Sequence, residues 1–327
     1  MNSQDYRLDE LRAQATYTRL LLFGTFSLAR LLITSAGDVK KLRVTKETET
    51  HYIRPPRLYD LPVLQPKQQI PGSHEKYLRP TRFCNYNTPE VMGMADALGA
   101  TRLPPADYAQ AAFEFVKEKI LLEIMPLDDV DVTLRRGTGT CIHLISVFIA
   151  LCRAAGVPAR YKMFAQNMIQ TMREVLIDVD PLVKRWYDAL GYFMIEGEGE
   201  VFLNGRWVVA HVGPTAERQA AAGIPITRLG EDAIGVWFFA RPGTIMHFES
   251  IPWGLGSGSR LLHRIAPGSM ERINVSVTQQ TEQGRRILEA AGGVQAYDNV
   301  IRSKLGPKTP AVDLRARPEI VFGGQGR

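Results

Sequence analysis

The sequence predicts an α+β fold, and three observations carry the prediction. In residues 141–154, Ile142, Ile145 and Ile149, and Leu144, Phe148 and Leu151, recur at three- and four-residue spacings, which reads as a largely buried helix. Residues 194–212 read as a hairpin, because Asn204-Gly205 between VFL and RWVV is a strong two-residue turn signal. Helical patterns flank both, at 6–36, 88–98, 105–125 and 282–304. The 327 residues, 45% hydrophobic and 23% charged, suit one large soluble domain or a core with additions.

Taken in order, residues 6–36 present an apolar face that includes Leu8, Leu11, Leu20, Leu21 and Phe26, wide enough to pack on something larger. Residues 15–34 are the one candidate for a membrane span. Arg19 and Arg30 interrupt them, leaving an apolar run far short of the roughly 20 residues required. The reading is therefore a buried or partner-facing helix and no membrane span. Asp5, Asp9 and Glu10 do not fit a signal peptide, which points to a cytoplasmic protein. Residues 38–82, punctuated by Pro55-Pro56, Pro62 and Pro66, read as short strands and extended connections.

Between Lys162 and Phe193 lies an insertion with helical spacing (Met168, Met172, Leu176, Leu182, Trp186, Leu190), placed where it can line or cover a cleft. Its methionine stripe by itself reads as core. Further on, Phe238-Phe239 and residues 251–253 mark strands or loops, and Gly254–Gly258 reads as a flexible turn. Glu282–Lys304 reads as a helix or pair broken at Gly292-Gly293, and the tail from Gly306 is rich in Pro, Gly and Arg. The division expected is an extension over 1–82, helical then extended; a core over 83–222; and a C-terminal addition over 223–327 packed on it.

Ahead of the apolar helix stands Gly137-Thr138-Gly139-Thr140, which puts Cys141 at the helix start, with Thr138 or Thr140 as cap. A thiol there sits in the positive end of the helix dipole, which favours thiolate and nucleophilic attack. The competing reading is a buried structural cysteine, as Cys152 is taken to be. Cys84, Cys141 and Cys152 give no disulfide framework and point to a reducing compartment. Cys141-x-His143 has no second ligand pair, so no metal is implied. Gly137-Thr138-Gly139 lacks the Gly-Lys-Ser/Thr ending of a phosphate loop, so no cofactor is implied either.

The pattern TLRRGTGTC…LCRAAGVPARY resembles the nucleophile segment of the transglutaminase-like superfamily of papain-type cysteine enzymes. EVFLNGRWVVAHVGPT, residues 200–215, resembles the strand pair that carries that family's other two triad residues. The resemblance spans roughly residues 83–222. It implies a nucleophile helix packed on an antiparallel sheet, and acyl transfer through an acyl-thioenzyme. Amide hydrolysis is one outcome, and some members instead form amides from carrier-bound thioesters. It also exposes a departure. Aligned on Val201 and Trp207, the family's base histidine falls on Glu196 and its orienting aspartate on His211, so base and acid are exchanged.

Hairpin geometry allows the exchange. With Asn204-Gly205 as the turn, Leu203 pairs with Arg206, and Glu196, Glu198 and Glu200 share a face with His211. Glu198 is the direct cross-strand neighbour of His211 and Glu196 a diagonal one, so either can orient the imidazole. The expected roles are Cys141 as nucleophile, His211 as base and Glu196 or Glu198 as orienter, with the Cys141 backbone N–H as oxyanion donor. His143 reads as structural, and His247 is a spare base should the C-terminal region cover the cleft. The expected substrate is an acyl thioester or amide, with an acidic carrier protein as one donor compatible with the net charge of +6. Lys and Arg are scattered, which argues against nucleic acid. A homo-oligomer through the N-terminal helices fits their apolar face. The alternative function is a binding module that keeps the cleft but has lost the chemistry, with Glu196 beside Cys141 opposing thiolate formation.

Overall fold

The structure, a computed structural model, describes residues 3–42, 51–62 and 75–305. In chain order it contains α1 (Ser3–Thr34), α2 (Ala36–Leu42), α3 (Pro89–Ala97), α4 (Pro105–Lys119), β1 (Leu121–Leu122), α5 (Val130–Arg136), β2 (Thr138–Gly139) and α6 (Cys141–Ala154). There follow β3 (Ala159–Asn167), α7 (Gln170–Leu176), α8 (Pro181–Leu190), β4 (Phe193–Leu203), β5 (Arg206–Ala210) and α9 (Ala216–Ala221). The chain continues through β6 (Phe239–Ala240), β7 (Met246–Phe248), α10 (Leu255–Ile265), α11 (Pro267–Ala290) and α12 (Val294–Leu305). The fold is α+β, as expected. One antiparallel sheet of order β5-β4-β3-β6, with β7 also on β3, carries α6 on one face, and β1 and β2 form a small parallel pair.

The helix and sheet dock because the strand they meet at is bare. β4 reads Glu196-Gly197-Glu198-Gly199-Glu200, and alternation sends the glutamates and glycines to opposite faces. A Cβ on Gly197 would stand 3.3 Å from Ile145 Cδ1, and one on Gly199 2.8 Å from Phe148 Cδ1. The α6 side chains therefore lie directly on the strand backbone. Leu144, Ile145, Phe148, Ile149 and Leu151 are wholly buried there, each worth about 1.5–3 kcal/mol.

The hairpin forms in the expected register, with Leu203 opposite Arg206 and Glu200 opposite Val209. Next along the sheet, β3 sets Arg160 against Glu200, Lys162 against Glu198 and Phe164 against Glu196. Here the expected helical insertion is corrected at its start: residues 162–167 continue the strand β3, and the helices α7 and α8 begin at Gln170. Eight consecutive buried residues of β3 leave no alternation to mark a strand. Two further expectations change. Among the described residues of 38–82 no strand forms; α2 reaches Leu42, and 51–62 carry no regular element, with Tyr59 Oη donating to Leu134 O. Gly254–Gly258 open α10 instead of a flexible turn. The break at Gly292-Gly293 separates α11 from α12, while the tail from Gly306 lies outside the described residues.

Helix α1 lies against β7 and α8. Ala13, Tyr17 and Leu20 are buried, Tyr17 Oη donates to Trp253 O at 2.8 Å, and Trp186 Nε1 donates to Gly24 O at 3.3 Å. Among the described residues no helix is long and apolar enough to cross a membrane.

Candidate active site

The turn before α6 is built to present Cys141. Gly137, at φ +79°, ends α5 in the left-handed region, which favours glycine. Thr140 caps α6, its Oγ1 accepting the His143 N–H at 3.4 Å, while His143 Nδ1 accepts the Thr140 N–H at 3.0 Å. His143 thus replaces the usual Glu or Gln of a capping box. Its Nε2 lies 3.1 Å from Asp128 Oδ1 and 3.1 Å from the Asp128 backbone N. Gly139 makes room for this ring: a Cβ there would stand 2.5 Å from His143 Cβ. His143 is structural, as the sequence indicates.

Cys141 is the first residue of α6, and its thiol sits beside the Glu196 carboxylate, whose charge acts on it. Gly213 closes the contact from the other side, since a Cβ there would stand 3.2 Å from Cys141 Cβ and 3.7 Å from Glu196 Oε1. The expected thiolate-favouring effect of the helix end is outweighed. Burial and the Glu196 charge push the thiol well above its ordinary pKa, against the smaller opposing pull of the Ile142 N–H. Burial in turn raises Glu196, which accepts the Gly197 N–H at 3.1 Å.

One step along β4 the same residue type behaves differently. Glu198 is wholly buried but is held below the usual carboxylate range by His211 and Lys162. His211 Nδ1 lies 2.8 Å from Glu198 Oε1, and Lys162 Nζ 3.1 Å from Glu198 Oε2. An ionised carboxylate only accepts, so Nδ1 carries the proton and Nε2 is left with its lone pair. That Nε2 is buried with no hydrogen-bond partner among the described residues, and the ring rests against Phe238 at a centroid distance of 4.1 Å. Of the two carboxylates expected to orient the imidazole, the one in contact is Glu198. His247 sits on β7 with Nε2 3.6 Å from Glu200 Oε2 and does not line the cavity.

Two cations escaped the sequence reading. Arg218 on α9 is buried beside Glu196 and Cys141, and burial pulls its pKa down to about 10. Its Nε donates to Gln280 Oε1 at 3.0 Å and its Nη2 lies 3.3 Å from Met172 Sδ. Lys117 on α4 donates to His211 O at 3.2 Å, Pro214 O at 3.0 Å and Thr227 Oγ1 at 2.8 Å, pinning the loop that follows β5. Neither had a motif to find it by, since each reaches the site only through tertiary packing.

Cys141, Glu196, His211 and Arg218 line one cavity of about 260 Å³. Residues 93–210 match the family model described as the transglutaminase-like superfamily. Over that span the chain is similar to transglutaminase-like proteins. No curated protein and no solved structure matches the chain. Transglutaminase-like proteins are in general cysteine enzymes of acyl transfer or hydrolysis.

Proposed function

We propose that this protein is a cysteine-dependent acyltransferase or amidase acting through a thioester on Cys141. The observation that carries the reading is the placing of Cys141 beside Glu196, in one cavity with an imidazole whose Nε2 has no hydrogen-bond partner among the described residues. Glu196 occupies the position of the family's base, and its raised pKa makes it a stronger base than an ordinary carboxylate. As Sγ attacks the substrate carbonyl, the S–H bond breaks and its proton passes to Glu196. The S–C bond forms, and the oxyanion is met by the Cys141 backbone N–H, left unpaired at the helix start.

Collapse expels a thiol or amine, which leaves with that proton. Water or an amine then attacks the thioester, gives up a proton to the same groups and restores Cys141. In this scheme Arg218 is the positive partner that keeps Glu196 available as carboxylate, and His211 is held in place by Glu198. His211 Nε2 is the second station for the proton. An acyl thioester, presented by an acidic carrier protein, is the donor we favour over a peptide amide, in keeping with the net charge of +6. The raised thiol pKa supports the second reading, a binding module without chemistry.

The test is incubation with an activated acyl thioester, followed by mass spectrometry. One acyl group is expected on Cys141 and none on Cys84 or Cys152, whose thiols are buried away from the cavity and have raised pKa values. Absence of any adduct with thioesters and amides would leave the binding module as the function.

A further inference from the structure

Most of the cavity next to Cys141 has no use in the chemistry above. Its polar groups come from Cys141 on α6, Arg218 on α9, Glu196 on β4 and His211 just after β5, and two tyrosines, Tyr187 on α8 and Tyr192 ahead of β4, also line it. Gln166, which also lines it, is opposite Phe193, two residues from the Phe164–Glu196 pair, and so belongs to the same end. The remaining wall is hydrocarbon supplied by separate helices: Met172 and Leu176 from α7, Leu182 and Trp186 from α8, Met270 and Ile273 from α11. A peptide or sugar entering there would leave its amides or hydroxyls unpaired, whereas an alkyl chain would exchange water for contacts of its own kind.

Resting on the reading of Cys141 as the acylated nucleophile, we propose that the acyl group is a long, unbranched hydrocarbon chain. Its carbonyl lies at Cys141 and its tail runs between α7, α8 and α11. Trp186 and Leu28 form the outer side of this space, and both are only partly buried, so the chain enters past α1 and α8. Methionines at Met172 and Met270 suit such an occupant, because an unbranched thioether adapts to a tail that takes many conformations.

The experiment compares acetyl-, octanoyl-, lauroyl- and palmitoyl-coenzyme A on the full-length protein, reading the rate of Cys141 acylation by mass. Each methylene accommodated should raise kcat/KM about fourfold until the cavity is full. Leu176→Trp should shift the optimum to a shorter chain and lower the palmitoyl rate at least tenfold more than the acetyl rate. Equal rates for acetyl and palmitoyl would overturn the proposal while leaving Cys141 chemistry in place. Binding of the same thioesters to Cys141→Ala, read by tryptophan fluorescence, should tighten with chain length. If it does while the native protein is never acylated, the cavity proposal stands and the catalytic reading falls. If it does not, the cavity proposal is wrong whatever the chemistry. In a second arm, vesicles of dipalmitoylphosphatidylcholine offer the same chain from a lipid. Acylation from these and not from palmitoyl-coenzyme A would keep the chain and replace the soluble donor.

Discussion

Two neighbouring parts of the site use the same residue to opposite ends. At the Glu198 end, a carboxylate that is wholly buried is ionised, because His211 and Lys162 lie within 3.1 Å of it. At the Glu196 end, burial raises the carboxylate's pKa, because the hydrogen bond it accepts comes from the uncharged Gly197 N–H and no cation among the described residues lies against it. Burial alone therefore does not decide the charge of a glutamate; the atoms within hydrogen-bond reach do. The Glu198 end is a fixed ion cluster, and the Glu196 end is poised to take a proton.

Substitution at each end should break the comparison in a different way. Glu196→Gln removes the proton acceptor and should slow Cys141 acylation by about 10²–10⁴, the usual range for a general base. Faster acylation would instead mark Glu196 as a charge opposing the thiolate. Glu198→Gln should slow the same reaction less, through loss of imidazole orientation, and the single-turnover rates of the two variants give the ratio.

Lys162→Met leaves Glu198 buried with His211 as its remaining close partner, and should destabilise the fold by about 3–5 kcal/mol in urea titration. On stability the two glutamates should differ in sign. Glu198, lowered in the folded state, stabilises above its unfolded pKa and loses that contribution as pH falls through its folded one. Glu196, raised in the folded state, weakens the fold as pH rises from its unfolded pKa through its folded one. At neutral pH, Glu198→Gln should lower Tm and Glu196→Gln should raise it. The same direction for both would erase the distinction.

A separate pH dependence concerns Lys117. Burial pulls its pKa from 10.5 to about 7, so the unfolded chain binds the extra proton between those values. Native stability should then gain on that of Lys117→Met as pH rises from about 7 toward 10. A pH-independent difference between the two would refute this.

Much of this contrast was legible in the sequence. Asn204-Gly205 fixes the hairpin register, and a two-residue side-chain period then makes Glu198 the neighbour of His211. The contact of Glu196 with Cys141 was not legible in that way, because it depends on where the start of α6 comes to rest over the sheet. The thiol's pKa was misjudged for a reason of magnitude. A helix end contributes about 0.3–1 kcal/mol at an exposed position, less than a buried thiolate loses beside a carboxylate. Lys162 was assigned to an insertion because β3 is buried on both faces and shows no alternation. Arg218 and Lys117 carry no local pattern at all.

The glycines of β4 have a mechanical consequence. Gly197 and Gly199 let Ile145 and Phe148 rest on the strand itself, so two hydrogen atoms are all that separates the nucleophile's helix from the strand carrying both carboxylates. Cys141 and Glu196 ride on these two elements as on the jaws of a caliper whose gap is set by missing side chains. A single methyl at position 199 would act as a shim under the middle of α6, tilting its first turn and altering the sulfur-to-carboxylate distance without touching either group. The tolerance of the site is thus set two turns away from the thiol, at positions that take no part in the reaction.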